Sequence, residues 1–139
     1  MLFGVGCDLC EVARMEKSLF GPHGEAFEAR VFGTGERQAL ALDECRAEAS
    51  ERKRAHKAAS AAADFAAKEA FLKAAGTGLR EPFSLCEIEA LRLPSGAPVY
   101  HFSGQTAAWV AEHKLKAHLS LSHDGGMALA FCVLEQAET

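Results

Sequence analysis

The sequence offers little of what marks several broad protein classes. It has one tryptophan and one tyrosine, and only four prolines among 139 residues. No run of apolar residues approaches the roughly 20 needed to span a bilayer; the longest, Met127 to Leu134, is far shorter. The first residues carry no basic-then-apolar pattern of a signal peptide, so the expected location is cytoplasmic and no membrane association is expected. Excess positive charge is also missing. The formal net charge of −4 excludes bulk electrostatic attraction to nucleic acid, and any anionic partner must be met locally. The five cysteines are odd in number and irregular in spacing, unlike a disulfide framework. Cys7 and Cys10 form a single CxxC, one pair short of a tetrahedral zinc site. A Walker-type phosphate loop is absent, and the Gly4-Val5-Gly6 pair lacks the third glycine of a dinucleotide-binding turn.

What is present is an ordinary globular balance, 49% hydrophobic and 24% charged, in a length that suits one core and hence one domain over residues 1–139. Leu2 to Asp8 reads as a strand in which Gly4 and Gly6 permit close backbone approach. Leu9, Val12, Met15 and Leu19 recur at helical spacing up to a Gly21-Pro22 stop. Thr34 is placed to cap a helix carrying Leu40. Residues 43–63 form a charged, alanine-rich insertion read as a solvated helical face or connection. Ala58 to Ala75 has strong helix propensity and ends at Gly76. Two hairpins follow: Leu85–Leu93 with Val99–Phe102, and Ala117–His123 with Met127–Leu134. A short helix, Thr106–His113, lies between them. The class is α+β.

Four residues have both structural and chemical readings. Asp8, where a strand hands over to a helix, could hold a cation, yet Asp8-Leu9-Cys10-Glu11 also fits a capping box. Glu69 shares a helical face with Phe65 and Leu72, so it needs a partner; Lys73, one turn on, could be that partner. Lys68 and Lys73 are spaced to flank a phosphate-bearing ligand, with a solvated lysine the plainer reading of each. His123 emerges beside the last turn on the apolar side of its strand, able to donate to a phosphate or to serve the fold alone.

Taken together, these pieces resemble the holo-acyl-carrier-protein synthase family of 4′-phosphopantetheinyl transferases along nearly the whole chain. The resemblance is carried by Gly4-Val5-Gly6-Cys7-Asp8 with Arg14, by the helix Phe65-Ala66-Ala67-Lys68-Glu69-Ala70-Phe71-Leu72-Lys73-Ala74, and by Ser120-Leu121-Ser122-His123. Arg30-Val31-Phe32, Gly76-Thr77-Gly78 and Gly96-Ala97-Pro98-Val99 add to it, whereas the insertion matches poorly.

The resemblance implies a compact α+β domain, a short antiparallel sheet packed with helices, assembled as a homotrimer with coenzyme A between subunits. It implies transfer of 4′-phosphopantetheine from coenzyme A to a serine of apo-acyl carrier protein, releasing 3′,5′-ADP. Asp8 and Glu69 would hold Mg²⁺, and Lys73 would contact phosphate as part of the catalytic set. Gly76, Gly96 and Pro98 would border the coenzyme, His123 would bind its nucleotide end, and Arg14 would face an acidic helix of the carrier. Those residue types suit the chemistry, because a highly anionic diphosphate must be neutralised before a serine can attack it. The competing reading is a non-catalytic module that binds coenzyme A or carrier protein; retention of both carboxylates favours the enzyme. One departure stands out: Asp64 sits where the family commonly carries arginine. An Asp64–Lys68 surface pair is the plain expectation. The alternative is weakened phosphate binding, uncompensated or offset by Arg52, Arg54 or Lys57.

Overall fold

A computed structural model describes residues 1–47 and 50–138; positions 48 and 49 of the charged insertion, and position 139 at the end of the expected domain, lie outside the described residues. In chain order the elements are β1 (Leu2–Glu11), α1 (Val12–Phe20), α2 (Gly24–Val31), α3 (Thr34–Leu40), α4 (Leu42–Ala47) and α5 (Glu51–Ala75). A single 3-10 turn (Leu85–Glu87) then leads to β2 (Ile88–Arg92), β3 (Pro98–Phe102), α6 (Gly104–Glu112), β4 (Leu115–Asp124) and β5 (Met127–Gln136). One sheet has the order β1-β5-β4, all antiparallel, and β2-β3 is a separate hairpin.

Helix α5 is the axis of the molecule. Ser50 caps it by accepting from the Lys53 N–H, and the charged stretch Arg52–Lys57 makes its first turns, so it begins at Glu51 rather than at Ala58. It ends where the sequence places its stop: Gly76, at φ +83, closes it by donating to the Leu72 and Lys73 carbonyls. Its alanines let the sheet come down close. A Cβ on Gly4 would lie 2.0 Å from the Ala74 carbonyl oxygen, and one on Gly6 2.1 Å from that of Ala70. Two strand residues rise about 6.6 Å and four helical residues about 6 Å, so strand and helix keep step along their antiparallel seam.

Two cores share α5. One packs Phe71, Ile88, Ala130, Cys132 and Leu134 with Trp109 and Phe102; within it the Tyr100 hydroxyl donates to the Ala67 carbonyl at 2.6 Å. The other gathers Met15, Leu19, Val31, Phe32, Leu40 and Leu42 against the earlier turns of α5. Because one face of the β1-β5-β4 sheet is spent on α5, the opposite face leaves Val5, Leu9, Leu129 and Phe131 exposed at 38–59%.

Several local expectations are corrected. β1 stays paired with β5 through Glu11–Met127, so Leu9 is a strand residue and α1 cannot start before Val12, whose N–H is satisfied by the Gly126 carbonyl at 2.9 Å. The Asp8–Glu11 capping box therefore does not form; Asp8 is in the ladder and caps nothing. Gly33, not Thr34, precedes α3, and its N–H is taken by Glu36 Oε1 at 3.1 Å. Leu85–Glu87 is a helical turn, not strand. Helix α2, which the sequence reading leaves unassigned, is tied down by the Arg46–Glu28 ion pair at 2.8 Å. All five cysteines are free; on a strand the CxxC spacing sends Cys7 and Cys10 to opposite faces, which denies them a shared ion.

Candidate functional site

Gly4, Gly6 and Asp8 are alternate residues of β1 and share its helix-facing side. At the two glycines the strand presses on helix backbone; at Asp8 the first side chain of that series meets α5. Lys73 bridges the seam. Its Nζ donates to Asp8 Oδ1 and to the Cys7 carbonyl, each at 3.0 Å. The Asp8 side chain is only 19% exposed, while that of Lys73 is 56% exposed. The hydrogen bond to Asp8 holds the Lys73 ammonium above the usual lysine range.

Glu69 lies one turn before Lys73, half-buried. Burial pushes its carboxyl up, the Asp8 charge pushes it further, and Lys73 pulls it back. Lys73 pairs with Asp8 rather than with Glu69, contrary to the plain expectation from the helix alone. The result is two mutually repelling carboxylates and one ammonium where β1 crosses α5. Among the described residues no group of three histidine, cysteine or acidic side chains is arranged to hold a metal. A hard cation that keeps waters and takes substrate phosphates as ligands needs only one or two protein carboxylates, and this donor set fits it.

His123 is elsewhere. It lines a separate cavity of about 540 Å³ together with Val12, His56, Ser60, Arg92 and Ser122, to which none of Asp8, Glu69 and Lys73 contributes. Gly76 and Gly96 are exposed at positive φ, at the end of α5 and in the β2–β3 turn, and Pro98 opens β3 half-buried. None of the three lines the His123 cavity. Arg14 projects exposed from α1.

Lys68 is not the solvated or ligand-flanking lysine of the sequence reading. It is fully buried, ion-paired with Glu36 and donating to the Leu85 and Ile88 carbonyls at 3.0 and 2.6 Å. The Glu36 carboxylate also accepts from the Ala90 N–H at 3.0 Å. Burial pushes Glu36 up to about 7 and pulls Lys68 down. This cluster fixes the roll of α5 and hence the direction in which Glu69 and Lys73 point.

Nor do Asp64 and Lys68 form a surface pair. Asp64 is buried and accepts from Arg92 Nη2 at 2.8 Å. Arg92, on β2, gave no signal in the sequence, since the contact spans 28 residues and two kinds of element. It, rather than Arg52, Arg54 or Lys57, is the cation on the wall of the His123 cavity.

Residues 4–132 match the family model of the 4′-phosphopantetheinyl transferase superfamily. The chain is 41% identical over 140 residues to a holo-[acyl-carrier-protein] synthase of Methylobacterium sp. (strain 4-46), with 97% of this chain and 95% of that protein covered. A holo-(acyl-carrier-protein) synthase from Bacillus anthracis str. Ames, solved in complex with CoA (3′,5′-ADP), is 31% identical and superposes with a TM-score of 0.71 over 99% of both chains. An ACPS–CoA complex from Chronobacterium ammoniagenes is 30% identical, with a TM-score of 0.74 over 97% of this chain and 98% of that one.

Proposed function

The chain belongs to the 4′-phosphopantetheinyl transferase superfamily, and on that premise we propose that it moves the 4′-phosphopantetheine of coenzyme A onto a serine of apo-acyl carrier protein. The serine oxygen bonds to the phosphorus that bears pantetheine, the bond from that phosphorus to the departing 3′,5′-ADP breaks, and the serine proton is lost. The observation that carries this reading is the seam itself: Asp8, Glu69 and Lys73 converge from a strand and a helix far apart in sequence.

Asp8 and Glu69 are the residues that would hold Mg²⁺, and their mutual repulsion is the reason a cation is favoured there. When bound, the ion supplies positive charge against the diphosphate. Lys73 adds a compact ammonium on the same side, held in place by Asp8, so it need not be ordered when the coenzyme arrives. Glu69 Oε atoms, half-buried and beside another carboxylate, have raised proton affinity. Gly76, Gly96 and Pro98 border the coenzyme, and Arg14 meets an acidic helix of the carrier.

The active form is a homotrimer of single-domain subunits in the cytoplasm. No helix among the described residues is long and apolar enough to cross a membrane. The exposed apolar face of the β1-β5-β4 sheet gives association something to bury. Separation of the His123 cavity from the Asp8–Glu69–Lys73 seam is met if one coenzyme A lies across two subunits.

The test is mass spectrometry of apo-carrier protein incubated with coenzyme A, Mg²⁺ and the purified protein. A mass gain of one phosphopantetheine on the carrier serine, with 3′,5′-ADP released, is the expected result. A folded protein that binds coenzyme A and carrier but leaves the carrier in its apo form is instead the non-catalytic module.

A further inference from the structure

The His123 cavity has one permanently charged cation on its wall, Arg92, alongside the imidazoles of His56 and His123, the hydroxyls of Ser60 and Ser122, and the exposed carboxylate of Asp124. Arg92 does not hang there loosely. Its Nη2 donates to Asp64 Oδ1 at 2.8 Å and its Nη1 to the Ala90 carbonyl at 3.4 Å. The Asp64 side chain beneath it is 6% exposed and that of Arg92 is 36% exposed. One edge of the guanidinium is therefore fixed against the protein and the other remains open.

A guanidinium has five N–H donors in a planar fork. Two are occupied here, and the rest suit the oxygens of a phosphate, which an arginine grips more specifically than a lysine does. Holding the side chain in advance reduces the rotamer entropy that a free arginine would lose on binding. An unpaired carboxylate at the depth of Asp64 would be costly, so each member of the pair orders the other.

We infer that Arg92 contacts a phosphate of the 3′,5′-ADP end of coenzyme A, and that Asp64 is the positioning residue that aims its guanidinium into the cavity. The inference rests on the reading above, in which the His123 cavity takes the nucleotide end. A pair that merely tied β2 to α5 would affect folding without distinguishing one substrate from the other.

Calorimetry of the full-length protein with 3′,5′-ADP and with 5′-ADP, alongside steady-state kinetics, tests the assignment. Arg92→Gln should weaken 3′,5′-ADP binding about ten- to hundredfold, the range for losing a hydrogen bond to a charged group. Arg92→Lys should recover part of that loss. A loss confined to 3′,5′-ADP assigns the contact to the 3′-phosphate, and an equal loss for 5′-ADP assigns it to the 5′-phosphate that the two nucleotides share. Asp64→Asn, which keeps shape and an acceptor, should raise the KM for coenzyme A several-fold while kcat and the KM for carrier protein stay near wild type. Unchanged nucleotide affinity in Arg92→Gln, in a protein whose wild type binds 3′,5′-ADP and transfers phosphopantetheine, overturns this inference alone. Absence of nucleotide binding by the wild-type protein overturns the parent reading, and this one with it.

Discussion

Gly6 lies so close to Ala70 that a Cβ on the glycine would stand 2.1 Å from the Ala70 carbonyl oxygen and 2.9 Å from the Cβ of Lys73. Backbone cannot yield to such a contact as a flexible side chain would, so Gly6→Ala must separate β1 from α5. The expected outcome is a loss of several kcal/mol of stability, in the range of overpacking, together with loss of transfer because Asp8 and Lys73 part. Urea unfolding and the transfer assay check it; a variant with wild-type stability and activity contradicts the tight seam.

Asp8→Asn and Glu69→Gln each remove a negative charge from the seam while preserving shape. Both should fold, and both should lose transfer by at least a hundredfold with a raised requirement for Mg²⁺. Magnesium titrations of initial rate separate this from simple structural damage. Near-normal rates at limiting Mg²⁺ in either variant end the shared-ion assignment.

Val5 and Phe131 are exposed at 51% and 44% on the sheet face that α5 leaves uncovered. Phe131→Lys places a charge there, which a subunit interface tolerates poorly and a free surface tolerates well. The expected result is a shift of the light-scattering mass from trimer to monomer with transfer lost. A wild-type protein that is monomeric and active removes the trimer from the reading.

Arg14→Glu reverses a charge on α1 at an exposed residue that does not line the His123 cavity. The KM for carrier protein should rise about tenfold or more, with the KM for coenzyme A unchanged and the effect shrinking at high salt. Equal weakening toward both substrates contradicts a carrier-specific role.

Burial pushes the Asp64 carboxyl from its ordinary value of 3.8 up to about 6, against the opposing pull of Arg92. A carboxyl with a raised folded pKa binds its proton more tightly folded than unfolded. Its contribution is therefore greatest at low pH and falls as pH rises through about 6. The stability difference between wild type and Asp64→Asn should accordingly fall by on the order of 2 kcal/mol between pH 4 and pH 7, because a tenfold change in proton affinity is worth about 1.4 kcal/mol. Urea midpoints across that range measure it; a difference that grows with pH contradicts the buried placement of Asp64.

Much of the architecture was legible from the sequence because it is written locally. The glycine-alternating strand, the alanine-rich helix with its Gly76 stop and the two hairpins follow from propensity, period and turn chemistry, and the three motif segments carry the family. The α5 start at Glu51 was hidden by a charge run that reads first as a solvated face and second as a connection, with no apolar period to join it to Ala58. Tertiary structure decided which ionisable groups meet. Asp8 could cap a helix or face one until pairing with β5 held it in a strand, and Lys73 could serve Glu69 until Asp8 arrived from across the seam. Lys68 carries the same charge as Lys73 five positions on, yet one is sealed against Glu36 and the other is half in solvent. Helical spacing puts them on different faces, but only packing says which face is inside. Arg92 reaches Asp64 across 28 residues, a separation at which no periodicity in the chain records the contact.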